Sequence, residues 1–247
     1  MKNRPTIIFE DEAIVIVNKP AEFLTIPDRH APDRANLLTF LTKKFGKMFV
    51  VHRLDRETSG IICFAKTAEA HRNLSLQFEK RKVEKIYYAL VEGKVHHETG
   101  EIDKPIAPSQ STPGKMVIAA RGKASLTHYK VLEYFDNYTL VAADIKTGRT
   151  HQVRIHFQAI GYPLAVDYLY GRQDGFYLST IKLRKYKKSK DEDERPLMNR
   201  TTLHAQQLQL DHPITGERMK FEAELPKDFN AVLKQLRKWG KKKVNKN

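Results

Sequence analysis

A single cysteine, Cys63, stands among the 247 residues of this chain. One thiol excludes an internal disulfide and any zinc cluster built on several thiolates. It lies in the apolar run Gly60–Ala65, where a buried and unreactive thiol is the plain reading. Long apolar stretches are missing as well. Runs such as Ala13–Val17 and Gly60–Ala65 fall far short of the about 20 residues a membrane-spanning helix needs, and the N-terminus carries no apolar signal region. The expectation is a soluble, unexported protein in a reducing cytoplasm. Acids are in deficit: 29 Asp and Glu face 44 Lys and Arg, a formal charge of +15. That excess fits a polyanionic partner, although charge alone does not separate nucleic acid from an acidic membrane face or from plain solubility. Hydrophobic residues make up 40% of the chain, enough for a sizeable core, so global disorder is excluded. No repeat, flexible linker or sharp change of composition divides the sequence, and a single domain over 1–247 is expected.

Short runs rich in Val, Ile, Phe and Tyr, punctuated by turn residues, predict many strands and a few helices. Thr6–Glu10 and Ala13–Asn18 read as a first pair, stopped at Asn18-Lys19-Pro20 because proline lacks the amide donor. Helical spacing marks Leu37–Phe45, ended by Gly46, then Ala68–Lys80, Thr150–Ala159 and Ala231–Trp239. Phe49–Val51, Gly60–Lys66 and Lys85–Val91 read as strands. So do Thr202–Leu210 and Met219–Ala223 near the end. Residues 114–145 read as a meander of Lys115–Ala120, Ser125–Phe135 and Tyr138–Ile145. Lys182–Arg195, where basic residues meet four consecutive acids, reads as a charged surface loop, and 237–247 as a basic tail. Each charge run has two readings, a backbone-binding surface or a solvated, silent one.

Two segments carry chemistry. In His52-Arg53-Leu54-Asp55-Arg56-Glu57-Thr58-Ser59-Gly60 an acid lies between two arginines in a loop between apolar strands. Positive neighbours would hold that carboxylate ionised, as a nucleophile or base requires, and a structural salt bridge is the competing account. In Thr147–His156 a glycine turn precedes a helix start with two arginines, which suits either phosphate binding or pairing with a remote carboxylate. His151 and His156 are five apart, off a common helix face, and no HExxH-like partner accompanies them, so no metal site is expected.

The loop His52–Gly60 resembles the HRLDxxTSG signature of the RluA-type RNA pseudouridine synthases. Asn18-Lys19-Pro20 is similar to that family's NKP element, and Lys85–Gly93 to its KxYxAxVxG strand. Gly148–His156, Gly161-Tyr162-Pro163-Leu164 and Asp167–Gly171 resemble GRTHQIRxH…GxPxxGDxxYG. Leu203-His204-Ala205 with His212–Gly216 resembles LHA…HPxxG. The motifs run in order over nearly the whole chain. Val166 departs from the family's glycine, Lys182–Arg195 looks like an insertion, and the chain is expected to lack the small N-terminal RNA-binding domain of many relatives.

The resemblance implies an α+β fold with a mixed, mainly antiparallel central sheet, flanking helices and a central active-site cleft. It implies an isomerase that turns specific uridines of ribosomal or transfer RNA into pseudouridine by base flipping, with no cofactor, no metal and no membrane partner, as a monomer. Asp55 is then the nucleophile, whether it attacks C1′, adds at C6 or acts through a glycal. Arg149 pairs with that aspartate, and Tyr87 is the pocket tyrosine, with Tyr88 on the opposite strand face. Arg53 occupies the gap left by the flipped base, a buried ion pair being the alternative. Lys182, Arg184, Lys185, Lys241, Lys242 and Lys243 are candidates for RNA backbone contact. His52, Thr58, Ser59, Gly60, His151, Gln152, His204 and His212 fall to loop geometry and packing, and Leu203 and Ile155 to pocket or core. Two other classes compete: a binding module that keeps the fold without turnover, and a metal-dependent hydrolase, for which the chain lacks a ligand set.

Overall fold

The computed structural model describes residues 4–182, 186 and 193–240. Arg184, Lys185 and Lys241–Lys243 lie outside the described residues. The strands are β1 (Thr6–Glu10), β2 (Ile14–Lys19), β3 (Phe49–Val50), β4 (Ser59–Ala65), β5 (Glu84–Glu92), β6 (Thr99–Asp103), β7 (Ile106–Pro108), β8 (Met116–Ile118), β9 (Leu126–Tyr134), β10 (Tyr138–Ile145), β11 (Leu203–Asp211) and β12 (Arg218–Glu222). The helices are α1 (Leu37–Phe45), α2 (Ala68–Glu79), α3 (Gln152–Ala159), α4 (Leu178–Lys182) and α5 (Lys227–Trp239). This is an α+β fold with mainly antiparallel pairing and few helices.

The chain folds as two compact units. The first comprises residues 1–87, 144–150 and 204–224. Its strand order is β1-β2-β4-β11 and then the opening of β5, with β3 on β4 and β12 on β11. The apolar runs Ile14–Val17 and Ile61–Ala65 are buried throughout, as central strands covered on both faces require. β4 and β11 run parallel, with His204 opposite Ser59 and Ala205 opposite Gly60. The Asn36 side chain caps α1 by accepting the Thr39 amide at 2.8 Å, and Gly46 ends it at φ 79°. Thr67 caps α2 in the same way at 3.1 Å, and Ala70, Leu74 and Gln77 form its buried stripe.

The second unit comprises residues 88–143, 151–203 and 225–247. The rest of β5 is followed in the sheet by β10, β9 and β6. Phe229, Val232, Leu233 and Leu236 give α5 a buried face at helical spacing, packed with Leu90, Phe135, Tyr138 and Phe176. Val166 is part of that core at 2% exposure, so this departure from the family pattern is filled by packing.

The meander expected over 114–145 is corrected. β8 pairs with β7 in a separate two-stranded sheet, because Met116, Val117 and Ile118 face Pro108, Ala107 and Ile106, while β9 neighbours β10, as a meander requires, and takes β6 on its other side. Lys182 closes α4 with its ammonium 5.1 Å from the centre of the Trp239 ring, and Glu194 accepts the Ser179 amide of that helix at 2.9 Å.

Candidate active site

The signature loop is stitched to the segment after β2. Lys19, wholly buried, donates to the carbonyls of Pro20, Phe23 and Arg56 at 3.1, 2.7 and 3.0 Å. Thr25 Oγ1 donates to the Leu54 carbonyl at 3.1 Å and accepts the Leu54 amide at 3.2 Å, and the Glu22 amide donates to the Arg56 carbonyl at 2.9 Å. A tight turn follows in which the Thr58 amide donates to the Asp55 carbonyl at 3.2 Å. The Arg56 side chain turns to Glu22 and Glu57, at 3.1 and 3.3 Å.

The loop leaves through Ser59 and Gly60 into β4. Gly60 has φ 118°, and a Cβ there would fall 2.1 Å from the Ala205 carbonyl oxygen, so only glycine lets β4 and β11 meet. Ser59 Oγ lies 2.9 Å from His204 Nδ1, and His204 Nε2 lies 3.2 Å from the Ala223 carbonyl. The carbonyl can only accept, so Nε2 carries the proton and Ser59 donates to Nδ1. At the start of the loop His52 Nε2 accepts the Cys63 amide at 3.0 Å while its ring stacks on Phe78 at 4.7 Å. Burial, with the nearby Lys85 charge, depresses the His52 pKa to about 3, so the ring is neutral. Burial first, and then the Asp11 charge, pushes the Cys63 thiol up. His212 accepts the Thr215 amide on Nδ1 at 3.1 Å and donates from Nε2 to Asp11 at 2.9 Å. These residues are loop geometry and packing, as expected.

Asp55 and Tyr87 are brought together. Asp55 is half-buried, and Tyr87, on β5, is 8% exposed. Burial raises the Tyr87 phenol, and the Asp55 charge raises it further, so the hydroxyl keeps its proton near neutrality beside a carboxylate. Tyr88 packs into the core of the second unit, which leaves Tyr87 as the tyrosine on the Asp55 side. Arg149 is half-buried after β10, in the same unit as both. Arg53 is exposed, and among the described residues no hydrogen bond or ion pair engages its guanidinium. The buried ion pair weighed for it is excluded.

The second signature segment is corrected in one respect. Its two arginines do not share a helix start: α3 begins at Gln152, beyond Arg149, after His151 in a left-handed turn with φ 56°. Arg154 is fully buried in a bidentate pair with Asp167 at 2.7 and 2.8 Å. It takes the remote-carboxylate reading. His151 Nδ1 sits 2.9 Å from the Tyr170 hydroxyl, whereas His156 lies between Thr127 Oγ1 and the Lys104 carbonyl at 2.9 and 3.0 Å. Among the described residues no cluster of His, Cys, Asp or Glu could hold a metal ion, and no helix is long and apolar enough to cross a membrane.

Three charged residues of the first unit were not assigned a role in the sequence. Lys85 shares the Tyr87 face of β5, and Asp144 and Lys146 form an ion pair at the end of β10. The strand alternation that separates Tyr87 from Tyr88 also selects Lys85, but its neighbours are distant in sequence.

Comparison with known proteins agrees with this fold. The sequence model of the RNA pseudouridylate synthase family matches residues 13–159. A ribosomal large subunit pseudouridine synthase D of Pseudomonas aeruginosa is 38% identical over 244 residues, covering 94% of this chain and 71% of that protein. The protein of the same name from Zymomonas mobilis is 34% identical over 241 residues, covering 93% and 72%. The solved structure of human RNA pseudouridylate synthase domain containing 4 superposes with a TM-score of 0.71 at 25% identity, over 94% of this chain and 92% of that one. The chain belongs to the RluA-type RNA pseudouridine synthases, isomerases that convert uridine in RNA to pseudouridine.

Proposed function

We propose that this protein isomerises one or more uridines of large-subunit ribosomal RNA, with Asp55 as the nucleophile. The observation that supports the reading is the buried Tyr87 hydroxyl, which keeps its proton through burial and through the charge of Asp55. The names of the relatives support ribosomal RNA as the substrate. The reaction breaks the bond from C1′ to uracil N1 and forms one from C1′ to C5; N1 gains a proton and C5 gives one to solvent. It has no net redox change, and its chemistry requires no cofactor.

Each residue has a part in this reading. Asp55 supplies the covalent step at the sugar or the base. Tyr87 offers a ring face to the uracil and a hydroxyl for proton transfer. Arg149 orients the Asp55 carboxylate. Arg53, exposed and unengaged, fills the stack when the nucleotide is extruded, a step that costs a few kcal/mol. Lys182, together with Arg184, Lys185 and Lys241–Lys243, adds backbone contact.

The test uses a large-subunit ribosomal RNA transcript tritiated at uracil C5. The wild-type chain releases label to water, and Asp55→Asn binds the RNA with unchanged affinity but releases none. Normal release by Asp55→Asn overturns the nucleophile assignment, and a wild-type chain that binds this RNA without release overturns the function.

A further inference from the structure

Three lysines crowd two phenylalanines where α1 meets the β3–β4 pair. The Lys44 ammonium lies 4.9 Å from the centre of the Phe45 ring, and the Lys66 ammonium lies 5.0 Å from the same point. Lys47 covers the Phe49 ring in the same way at 5.1 Å. Phe49 pairs with Ala65 across β3 and β4, so Lys47 and Lys66 leave the same end of that pair, one on each strand. Lys43, in the last turn of α1, adds a fourth charge. Phe45 and Phe49 are half-buried, whereas Lys43, Lys44 and Lys47 are exposed. Lys66 is committed, since it donates to the Asp11 carbonyl at 2.5 Å and lies 3.7 Å from Glu10. Among the described residues no acid pairs with the other three.

Two plainer uses exist for such lysines: cations in a last helical turn offset the helix dipole, and lysine stems shield apolar rings. Lys47 lies beyond the helix, and an uncharged stem would shield a ring as well. Neither use calls for four like charges held together against their own repulsion. Each ammonium has three donors and a ring takes up one side of it, so donors remain for an anion from solvent. Neither phenylalanine is among the exposed large hydrophobic side chains, so the patch offers a bilayer no wedge. Charge without base-reading groups suits a nucleic-acid backbone. From Lys47 the chain runs through β3 to Arg53, six residues on, a span of at most about 21 Å at about 3.5 Å per residue. A helical nucleic-acid strand carries one phosphate per roughly 3.4 Å of axis, so a strand held at Arg53 is long enough to reach the patch within about six nucleotides.

We propose that Lys44 and Lys47, fixed over Phe45 and Phe49, form with Lys43 a docking surface for the RNA backbone that flanks the target uridine; naming RNA as the polyanion rests on the reading of this chain as a ribosomal RNA isomerase. The surface positions the strand, while Asp55, Tyr87 and Arg53 handle the nucleotide.

The experiment measures the affinity of the full chain for a large-subunit ribosomal RNA transcript across a salt series. Each lost phosphate contact lowers the steepness of log affinity against log salt by about 0.7 to 0.9. Lys44→Met combined with Lys47→Met keeps stems over the rings and removes two charges, so the steepness falls by about 1.4 to 1.8. Lys44→Arg combined with Lys47→Arg keeps the wild-type value. Lys80→Met combined with Lys82→Met, an equally exposed pair in the same unit, also keeps it. Wild-type steepness in the Lys44 and Lys47 methionine variant overturns the surface. An equal fall in both methionine pairs overturns it too, because net charge alone would then account for the effect. Should the methionine variant fail to fold, Lys44→Gln combined with Lys47→Gln takes its place under the same criteria. Phosphatidylglycerol vesicles probe the competing polyanion: vesicle binding that this variant loses, with its RNA salt dependence unmoved, overturns the surface in favour of a membrane. Tritium release keeps the two readings apart. Release by the wild type with an unmoved salt dependence in the variant refutes the surface alone, and a reduced salt dependence without release by the wild type refutes the isomerase alone.

Discussion

The Lys19 ammonium, wholly buried, donates to the Arg56 carbonyl at 3.0 Å and so ties the end of β2 to the loop that carries Asp55. The same group holds the carbonyls of Pro20 and Phe23. Lys19→Met keeps the aliphatic stem and removes the common donor of three carbonyls. A buried acceptor left unsatisfied costs about 1–3 kcal/mol, and because the Arg56 carbonyl keeps the Glu22 amide, a loss of about 2 kcal/mol in urea unfolding is expected from the other two. Turnover of the remaining folded protein should fall as well, because the Arg56 main chain is one residue from Asp55. Wild-type stability in this variant would show that the three bonds stabilise nothing.

Gly60→Ala tests the junction of β4 and β11. The new Cβ would fall 2.1 Å from the Ala205 oxygen, and a φ of 118° disfavours any side chain. Neither strand can retreat, since both are central in the first unit. The expected outcome is a destabilisation above about 3 kcal/mol, read as loss of soluble protein or of the cooperative urea transition. Ordinary unfolding behaviour would mean the strands separate there at little cost.

How much of this was legible from sequence depends on how far apart the interacting residues lie. α1 was readable because its apolar positions are periodic and Gly46 stands just past its end, whereas the caps Asn36 and Thr67 emerged only with the structure. Asp55, Arg53, Tyr87 and Arg149 came from motif register, which says nothing of contact. The pairing of Asp55 with Tyr87 needed the fold. β6 and β7 were missed because Thr99–Asp103 buries only Ile102 fully and Ile106–Pro108 is three residues ending in a proline. The two arginines of the second signature could not be separated either. Arg154 is claimed by Asp167, thirteen positions away, and nothing in local spacing announces it.

Tyr87 and Tyr88 make a matched pair of substitutions. Tyr87→Phe keeps the ring and removes a buried hydroxyl that feels the Asp55 charge, while Tyr88→Phe removes one packed against the core of the second unit. A positioned group that transfers a proton in the reaction contributes about 100-fold or more, which predicts a fall in kcat of that order for Tyr87→Phe with little change in RNA affinity. Tyr87→Leu, which also loses the aromatic face, should be poorer still. Tyr88→Phe should turn over normally. Equal rates for Tyr87→Phe and the wild type would confine Tyr87 to stacking.

His52 gives the fold a specific dependence on pH. Its pKa is about 3 in the folded protein, against 6.5 for the free side chain, because burial and the Lys85 charge disfavour the imidazolium. Between these values the unfolded chain binds a proton that the folded chain refuses. The contribution of His52 to stability is therefore complete above about pH 6.5 and is lost as the pH falls from there toward 3. Protonation would also convert Nε2 from the acceptor of the Cys63 amide into a donor facing a donor. In His52→Gln a side-chain oxygen can still accept that amide, and the titrating group is gone. Urea unfolding of both proteins between pH 4.5 and 8 should give stability curves that run parallel at the alkaline end. Below about pH 6.5 they converge, with a difference in slope of about one proton. Curves that stay parallel throughout would show that His52 is protonated alike in the folded and unfolded states.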